Sequence, residues 1–163
     1  MLRRTFIALA CAASFAAPTT LLAQTWPSRP VTLVVPNAAG GGTDTVARLM
    51  ADQLSKQFGS SFVVENRTGA GMVVGTVAVA KAQPDGHMLL VGLNGNMTVN
   101  PSLYAKLPYD PAADFVPVAM LATYPFMLVV NNDLPVTSVK ELIAYLKSKP
   151  GQVDYASAGN GTG

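Results

Sequence analysis

The chain has 163 residues, half of them apolar, and its eleven Lys and Arg against nine Asp and Glu give a formal charge of +2. Arg3 and Arg4 precede an uncharged apolar run over residues 6–17, so beyond that leader the chain carries nine basic and nine acidic side chains and is formally neutral. A neutral chain without a basic run lacks the electrostatic footprint of a nucleic-acid binder or of a protein held to an anionic membrane surface.

Two arginines, a short apolar core and the small residue Ala23 make residues 1–23 a secretory signal peptide, with Arg-Arg-Thr-Phe-Ile leaving export open between the Sec and twin-arginine routes. Leu21 stands where a small residue is usual, so the cleavage point is fixed only to within a few residues. No later segment offers the roughly 18–20 uninterrupted apolar residues of a membrane-spanning helix, and the mature chain is expected to be soluble. Cys11 is the only cysteine. It follows Ala8-Leu9-Ala10, which also fits a lipoprotein acylation site behind a very short apolar run. If Cys11 leaves with the leader, disulfides, thiolate metal sites and cysteine nucleophiles are excluded.

Residues 31–35 (VTLVV), bounded by Pro30 and Pro36, predict a buried strand. A glycine loop follows, and from Thr45 the apolar residues Val46, Met50, Leu54 and Phe58 recur every four positions, an amphipathic helix stopped by Gly59. Residues 61–65 (SFVVE) predict a second strand, which runs into Asn-Arg-Thr-Gly-Ala-Gly over residues 66–71. A more apolar helix over about 72–82, a Pro84-Asp85-Gly86 turn and a third strand over 87–92 (HMLLVG) come next. Strand and helix in alternation with short connections argue for a parallel sheet covered on both faces.

After Gly92 the regularity breaks, and Asn94 to Pro117 reads as a connector with one short helix. Residues 126–131 (FMLVVN) predict a new strand, and Ser138 with Glu141 has the spacing of a capping box opening a helix that ends at Pro150-Gly151. Residues 153–157 predict a further strand, leading into Ala158-Gly159-Asn160-Gly161-Thr162-Gly163. That glycine-rich stretch resembles a loop entering another element, and the expectation is a fragment.

Three glycine loops thus follow strands: residues 39–44, 66–71 and 157–163. In an open parallel sheet, ligands sit beyond the carboxyl ends of the strands. The first turn of a helix there presents free N–H groups and the positive end of its dipole, which together hold an anion without a charged side chain. Glycine turns also serve tight packing alone, and Thr43 or Asp44 can simply cap a helix. A nucleotide site is disfavoured, because the first loop lacks the third glycine of G-x-G-x-x-G and no P-loop Gly-Lys-Ser/Thr exists. For catalysis there is little. His87 is the sole histidine and reads as structural, Ser157 is not in a Gly-x-Ser-x-Gly elbow, Asp110 and Asp114 fit capping or solvation, and Trp26, Tyr104 and Tyr109 line a cleft or pack a connector.

The ordered segments Trp26-Pro27-Ser28-Arg29-Pro30-Val31, PNAAGGGTDTVAR over residues 36–48, VENRTGAG over 64–71, Pro84-Asp85-Gly86-His87, Asn100-Pro101-Ser102-Leu103-Tyr104, DFVPV over 114–118 and YASAG over 155–159 resemble the Bug or TctC-like substrate-binding proteins of tripartite tricarboxylate transporters. The resemblance implies an α/β, periplasmic-binding-protein-like fold, a type II-like, two-lobed Venus flytrap. It implies residues 24–122 as a first lobe completed by a later return of the chain and 123–163 as the start of a second, truncated within that lobe. It implies a periplasmic receptor, not an enzyme, that takes a small tricarboxylate- or dicarboxylate-like acid to membrane transporter subunits, with no cofactor, no metal and no nucleic acid, as a monomer. Carried over by position, the ligand-binding candidates are Ala39, Gly40, Gly41, Gly42, Thr43, Asp44, Asn100, Ser157, Gly159 and Gly161. Asn37, Met72 and His87 depart from the family's usual residues, and Met72 bears on how closely the second loop approaches a ligand. An isolated piece with half a wall missing is expected to bind poorly and to aggregate. The rival readings are a secreted α/β hydrolase with its catalytic residues further along the chain, and a sensor domain for a membrane kinase.

Overall fold

The computed structural model describes residues 25–157 and 159–162; the leader, its cleavage site, Cys11, Ala158 and Gly163 lie outside the described residues. Three parallel strands form the sheet, β1 (Val31–Val35), β2 (Phe62–Asn66) and β3 (Met88–Leu90), in the order β2-β1-β3. β1 lies at the centre, with Leu33 opposite Val64 on one side and Leu89 on the other. Helix α1 (Gly42–Phe58) connects β1 to β2 and packs on both, while α2 (Val73–Ala80) returns over β1 to β3. Right-handed crossovers in opposite directions place the two helices on opposite faces of the sheet.

That placement explains why β1 is apolar at nearly every position instead of alternating. Val31, Leu33 and Val35 face Ala47 and Ala51 of α1 in a core shared with Phe62 and Val91, while Val34 is equally buried on the other face. Gly75 allows α2 to come close: a Cβ there would lie 3.1 Å from the α-carbon of Pro36 and 2.6 Å from the carbonyl oxygen of Arg67. Beyond β3 a π-helical turn (Gly95–Val99) runs directly into α3 (Asn100–Leu103). The sequence predicts an irregular connector with one short helix here; the π-turn is the additional finding.

Past residue 115 the structure departs from expectation. The strands predicted over 126–131 and 153–157 are not formed, and α4 (Val139–Ser148) stands without a buried residue. A strand exists by virtue of the edge it pairs with, and neither segment pairs with one among the described residues. Phe126, Met127, Leu128 and Val129 are each 70–82% exposed. The capping box does form, since Ser138 Oγ accepts the N–H of Glu141 at 3.2 Å. Glu141, however, reaches back to the N–H and hydroxyl of Thr137 at 2.7 and 2.9 Å. Among the described residues no helix is long and apolar enough to cross a membrane.

Candidate functional site

All three strands point their carboxyl ends at one edge of the sheet, and the loop after β1 reaches α1 through Gly40, Gly41 and Gly42. Gly40 sits at φ +85°, a left-handed conformation that favours glycine. Gly41 is the N-cap of α1 in extended conformation, and no side chain caps that helix end. A Cβ on Gly40 or Gly42 would meet nothing within 4 Å. The backbone at Gly40 and Gly42 is therefore open to close approach, ahead of the positive end of a 17-residue helix.

Of the two residues expected either to bind or to cap, neither caps α1 with its side chain. Asp44 is 3% exposed, and its Oδ2 accepts the Gly40 N–H at 2.8 Å and Arg48 Nε at 2.9 Å. Its Oδ1 accepts Asn66 Nδ2 at 3.0 Å. Asn66 Nδ2 also donates to the Asn37 carbonyl at 3.1 Å, and Arg48 donates to Asn66 Oδ1 at 3.0 Å. Asp44 is thus a brace joining the first loop to the end of β2. The hydrogen bond from Arg48, then those from Gly40 and Asn66, hold its carboxyl down at about 2. Its charge is matched inside the brace by Arg48. Thr43 is buried, and its hydroxyl lies 3.1 Å from the hydroxyl of Tyr124, which ties the first loop to the segment leading away from the connector. Ala39 is exposed.

The second loop takes left-handed backbone at Ala70 (φ 45°) and Met72 (φ 72°) as well as at its glycines. Met72 holds a conformation suited to glycine because its side chain is almost completely buried, 2% exposed, beneath Gly95. Below this loop a polar network is buried. Asn96 accepts the Leu93 N–H at 2.8 Å and donates to Thr76 Oγ1 at 2.8 Å, and Tyr109 donates to the Asn96 carbonyl at 2.6 Å. Asn100 donates to the Gly71 carbonyl at 2.7 Å and lies 3.4 Å from the Tyr109 hydroxyl. Its amide nitrogen is therefore spent inside the fold, and its Oδ1 is buried without a partner.

In the third loop Ser157 Oγ accepts the N–H of Gly159 at 3.1 Å, and Thr162 closes the turn onto the Gly159 carbonyl at 2.6 Å. Ser157 and Gly159 are exposed, whereas Gly161 is buried against Asn100. The structure brings the first loop to the second through Asp44, and the second to the third through Gly71 and Asn160. No hydrogen bond joins the first loop to the third among the described residues. Arg48, Gly95, Asn96 and Tyr124 are the organising residues that pattern reading missed. Only Arg48, four residues after Asp44, carried a sequence signal, the spacing of a helical ion pair.

The opposite end of the sheet holds a different cluster. His87, 6% exposed, accepts the Ser28 backbone N–H at its Nε2 at 3.2 Å. Asp85 accepts the His87 backbone N–H at 3.0 Å and pairs with Arg29 at 2.7 Å. Those two contacts, the His87 N–H first, hold the Asp85 carboxyl at about 2. With Nε2 occupied, His87 serves as an anchor for the segment entering β1. A hollow of about 360 Å³ lies beside it, and another of about 540 Å³ is lined by Tyr104, Tyr109 and Asp114. Neither touches the glycines ahead of α1, which are open on one side.

The profile described as Tripartite tricarboxylate transporter family receptor matches residues 46–163. A protein of Pseudomonas sp. (strain P51), described as a UPF0065 protein in the tcbD-tcbE intergenic region, is 38% identical over 160 residues, covering 98% of this chain and 47% of its own. The solved structure of R. palustris Rpa4515 with adipate is 44% identical with a TM-score of 0.75, covering 79% of this chain and 43% of that one. MatC (Rpa3494) from Rhodopseudomonas palustris with bound malate is 42% identical with a TM-score of 0.72, covering 76% and 42%. The chain spans about half the length of the proteins it matches.

Proposed function

Because this chain belongs to the tripartite tricarboxylate transporter receptor family, we propose that it acts in the periplasm as a receptor that captures a small organic carboxylate and hands it to the membrane subunits of such a transporter, performing no chemistry on the ligand. The observation that carries this reading is the uncapped start of α1 behind three bare glycines. Peptide N–H groups and the helix dipole there suit a carboxylate, and the nearest cation, Arg48, is already committed to Asp44 and Asn66. That one relative was solved with adipate and another with malate supports the same ligand class.

Residues 24–122 then supply one wall of the cleft, and the segment from 123 onward begins the other. Gly41 to Thr43 contribute N–H donors, Asp44 fixes the loop through the Gly40 N–H, and Gly159 and Gly161 belong to the loop from the opposite wall. Closing of the two walls is the state the membrane partner would read. The test is a thermal-shift panel of mono-, di- and tricarboxylic acids against the exported protein at its natural length. A saturable rise in melting temperature for a subset of acids is expected. A flat response from a folded sample overturns the carboxylate reading.

A further inference from the structure

The third loop lies against the first lobe at several positions that have no side chain. A Cβ on Gly71 would collide with the carbonyl oxygen of Asn160, and one on Gly95 with the carbonyl oxygen of Gly161. One on Gly161 would collide with Oδ1 of Asn100. These contacts come from three separate stretches of chain: the end of the second loop, the π-turn with the start of α3, and the third loop. Gly71 and Gly161 also have positive φ, 60° and 82°, so their backbone gives an independent reason to be glycine. Gly95 has none. It lies in a helical turn without positive φ, where alanine is the better helix former. Its lack of a side chain is explained by what lies against it, the Gly161 carbonyl and the end of the Met72 side chain.

We propose that Gly71, Gly95 and Asn100 form a seat that positions the third loop, and that Gly95 sets how closely that loop approaches the edge where α1 begins. The proposal rests on the reading of these loops as parts of one ligand site. The polar floor of the seat is rigid, since Asn96, Thr76, Tyr109 and Asn100 are tied to one another and to the Gly71 carbonyl. Its one open valence is Oδ1 of Asn100, a buried acceptor lying against Gly161. A loop that must meet a ligand with its own backbone has to be placed by contacts that do not depend on flexible side chains, and backbone on backbone over glycine provides that. Gly95 is thus a positioning residue for binding.

The test is Gly95→Ala in the exported protein at its natural length, read three ways. Amide exchange at residues 159–162 is expected to quicken about tenfold, as loss of a contact worth roughly one hydrogen bond would give. Adipate affinity by calorimetry is expected to fall by a similar factor, while the melting temperature of the ligand-free protein stays close to wild type, a split that a merely structural role would not produce. Met72 shares the collision at Gly95, so Met72→Ala is compared with the Met72→Ala/Gly95→Ala pair as a second measure. The seat requires faster loop exchange in the double variant than in the single one. Equal exchange in both comparisons overturns the proposal, as does unchanged adipate binding in a Gly95→Ala protein whose wild type binds. If the wild type binds no carboxylate, the receptor reading fails, and the exchange comparison still decides the seat.

Discussion

Residues 31–35 (VTLVV) and 126–130 (FMLVV) are close to the same string, yet Val31, Val34 and Val35 are fully buried while Phe126, Met127 and Leu128 are 75, 82 and 70% exposed. The difference lies in what surrounds them. β1 has a parallel partner on each side and a helix over each face, so both its hydrogen-bonding edges and both its apolar faces are used. The second string has none of these among the described residues. An apolar run therefore reports a demand for burial and a backbone suited to extension; neighbours decide whether the demand is met. The same contrast holds for helices. α1 buries Ala47 and Ala51, whereas α4, with an apolar face of comparable quality, leaves Ile143 and Leu146 at 48 and 40% exposure.

The sharpest way to break the comparison is a matched pair of truncations. Leu33→Ala removes a side chain that is 5% exposed at the centre of the sheet and should cost about 2–5 kcal/mol, read from the urea midpoint at constant slope. Leu128→Ala should stay within about 0.5 kcal/mol of the parent. Equal losses would mean that the second string packs in solution as firmly as the first.

Asn96→Ala comes next, because it tests whether the polar floor under the loops is as integral to the first region as the apolar core. The substitution leaves the Leu93 N–H without its acceptor and the Tyr109-Asn96-Thr76 floor without its central amide, while the Thr76 hydroxyl keeps its bond to the Met72 carbonyl. Each group left unpaired in a buried site costs about 1–3 kcal/mol, so global stability should drop measurably in the same urea titration. A loss below about 0.5 kcal/mol would show that water replaces the amide freely.

How much of this was legible follows from the kind of signal each feature carries. β1, α1, β2, α2 and β3 were readable within a residue or two at most ends, since strand and helix periodicity and glycine stops are local properties. The receptor family and the first glycine loop were readable from ordered short motifs. What Asp44 does was not: a capping residue and a brace look identical until Arg48 and Asn66 are brought beside it. Met72 looked like an obstacle to a close loop and is in fact the plug beneath it, with its left-handed backbone offset by burial. The π-turn has no composition of its own, so Gly95 and Asn96 read as mere interruption. Strands 126–131 and 153–157 were misplaced for the reason already given, that pairing is not written in the strand.

The Asp44 brace predicts a pH dependence confined to the first region. Its folded-state carboxyl is lowered to about 2 from an ordinary 3.8. A depressed carboxyl contributes stability that is fully present above its unfolded value and is lost as pH falls toward the folded one. Stability should therefore decline between about pH 4 and pH 2, and Asp44→Asn should flatten that part of the profile while lowering stability near neutrality. Arg48 is 54% exposed on its side chain, so solvent screens the pair and the effect should be smaller than that of Asn96→Ala. Asp85 titrates in the same range at the other end of the sheet, so the decisive measurement is the difference between Asp44→Asn and parent. A profile that keeps its full slope in the variant would remove Asp44 as its source.

The smallest effect is expected where the second region is tested on its own terms. Ser138→Ala removes the acceptor for the Glu141 N–H at the start of α4, a change worth about 1 kcal/mol of helix stability. In α1 a loss of that size would be shared with a packed core and would move the cooperative unfolding midpoint. α4 has ten residues and buries none of them, and a helix that short is marginal without tertiary support. The loss should therefore appear locally, as faster amide exchange along residues 139–148, while the urea midpoint of the sheet stays where it was. If the midpoint moves together with the exchange, α4 is coupled to the sheet, and the two regions unfold as one.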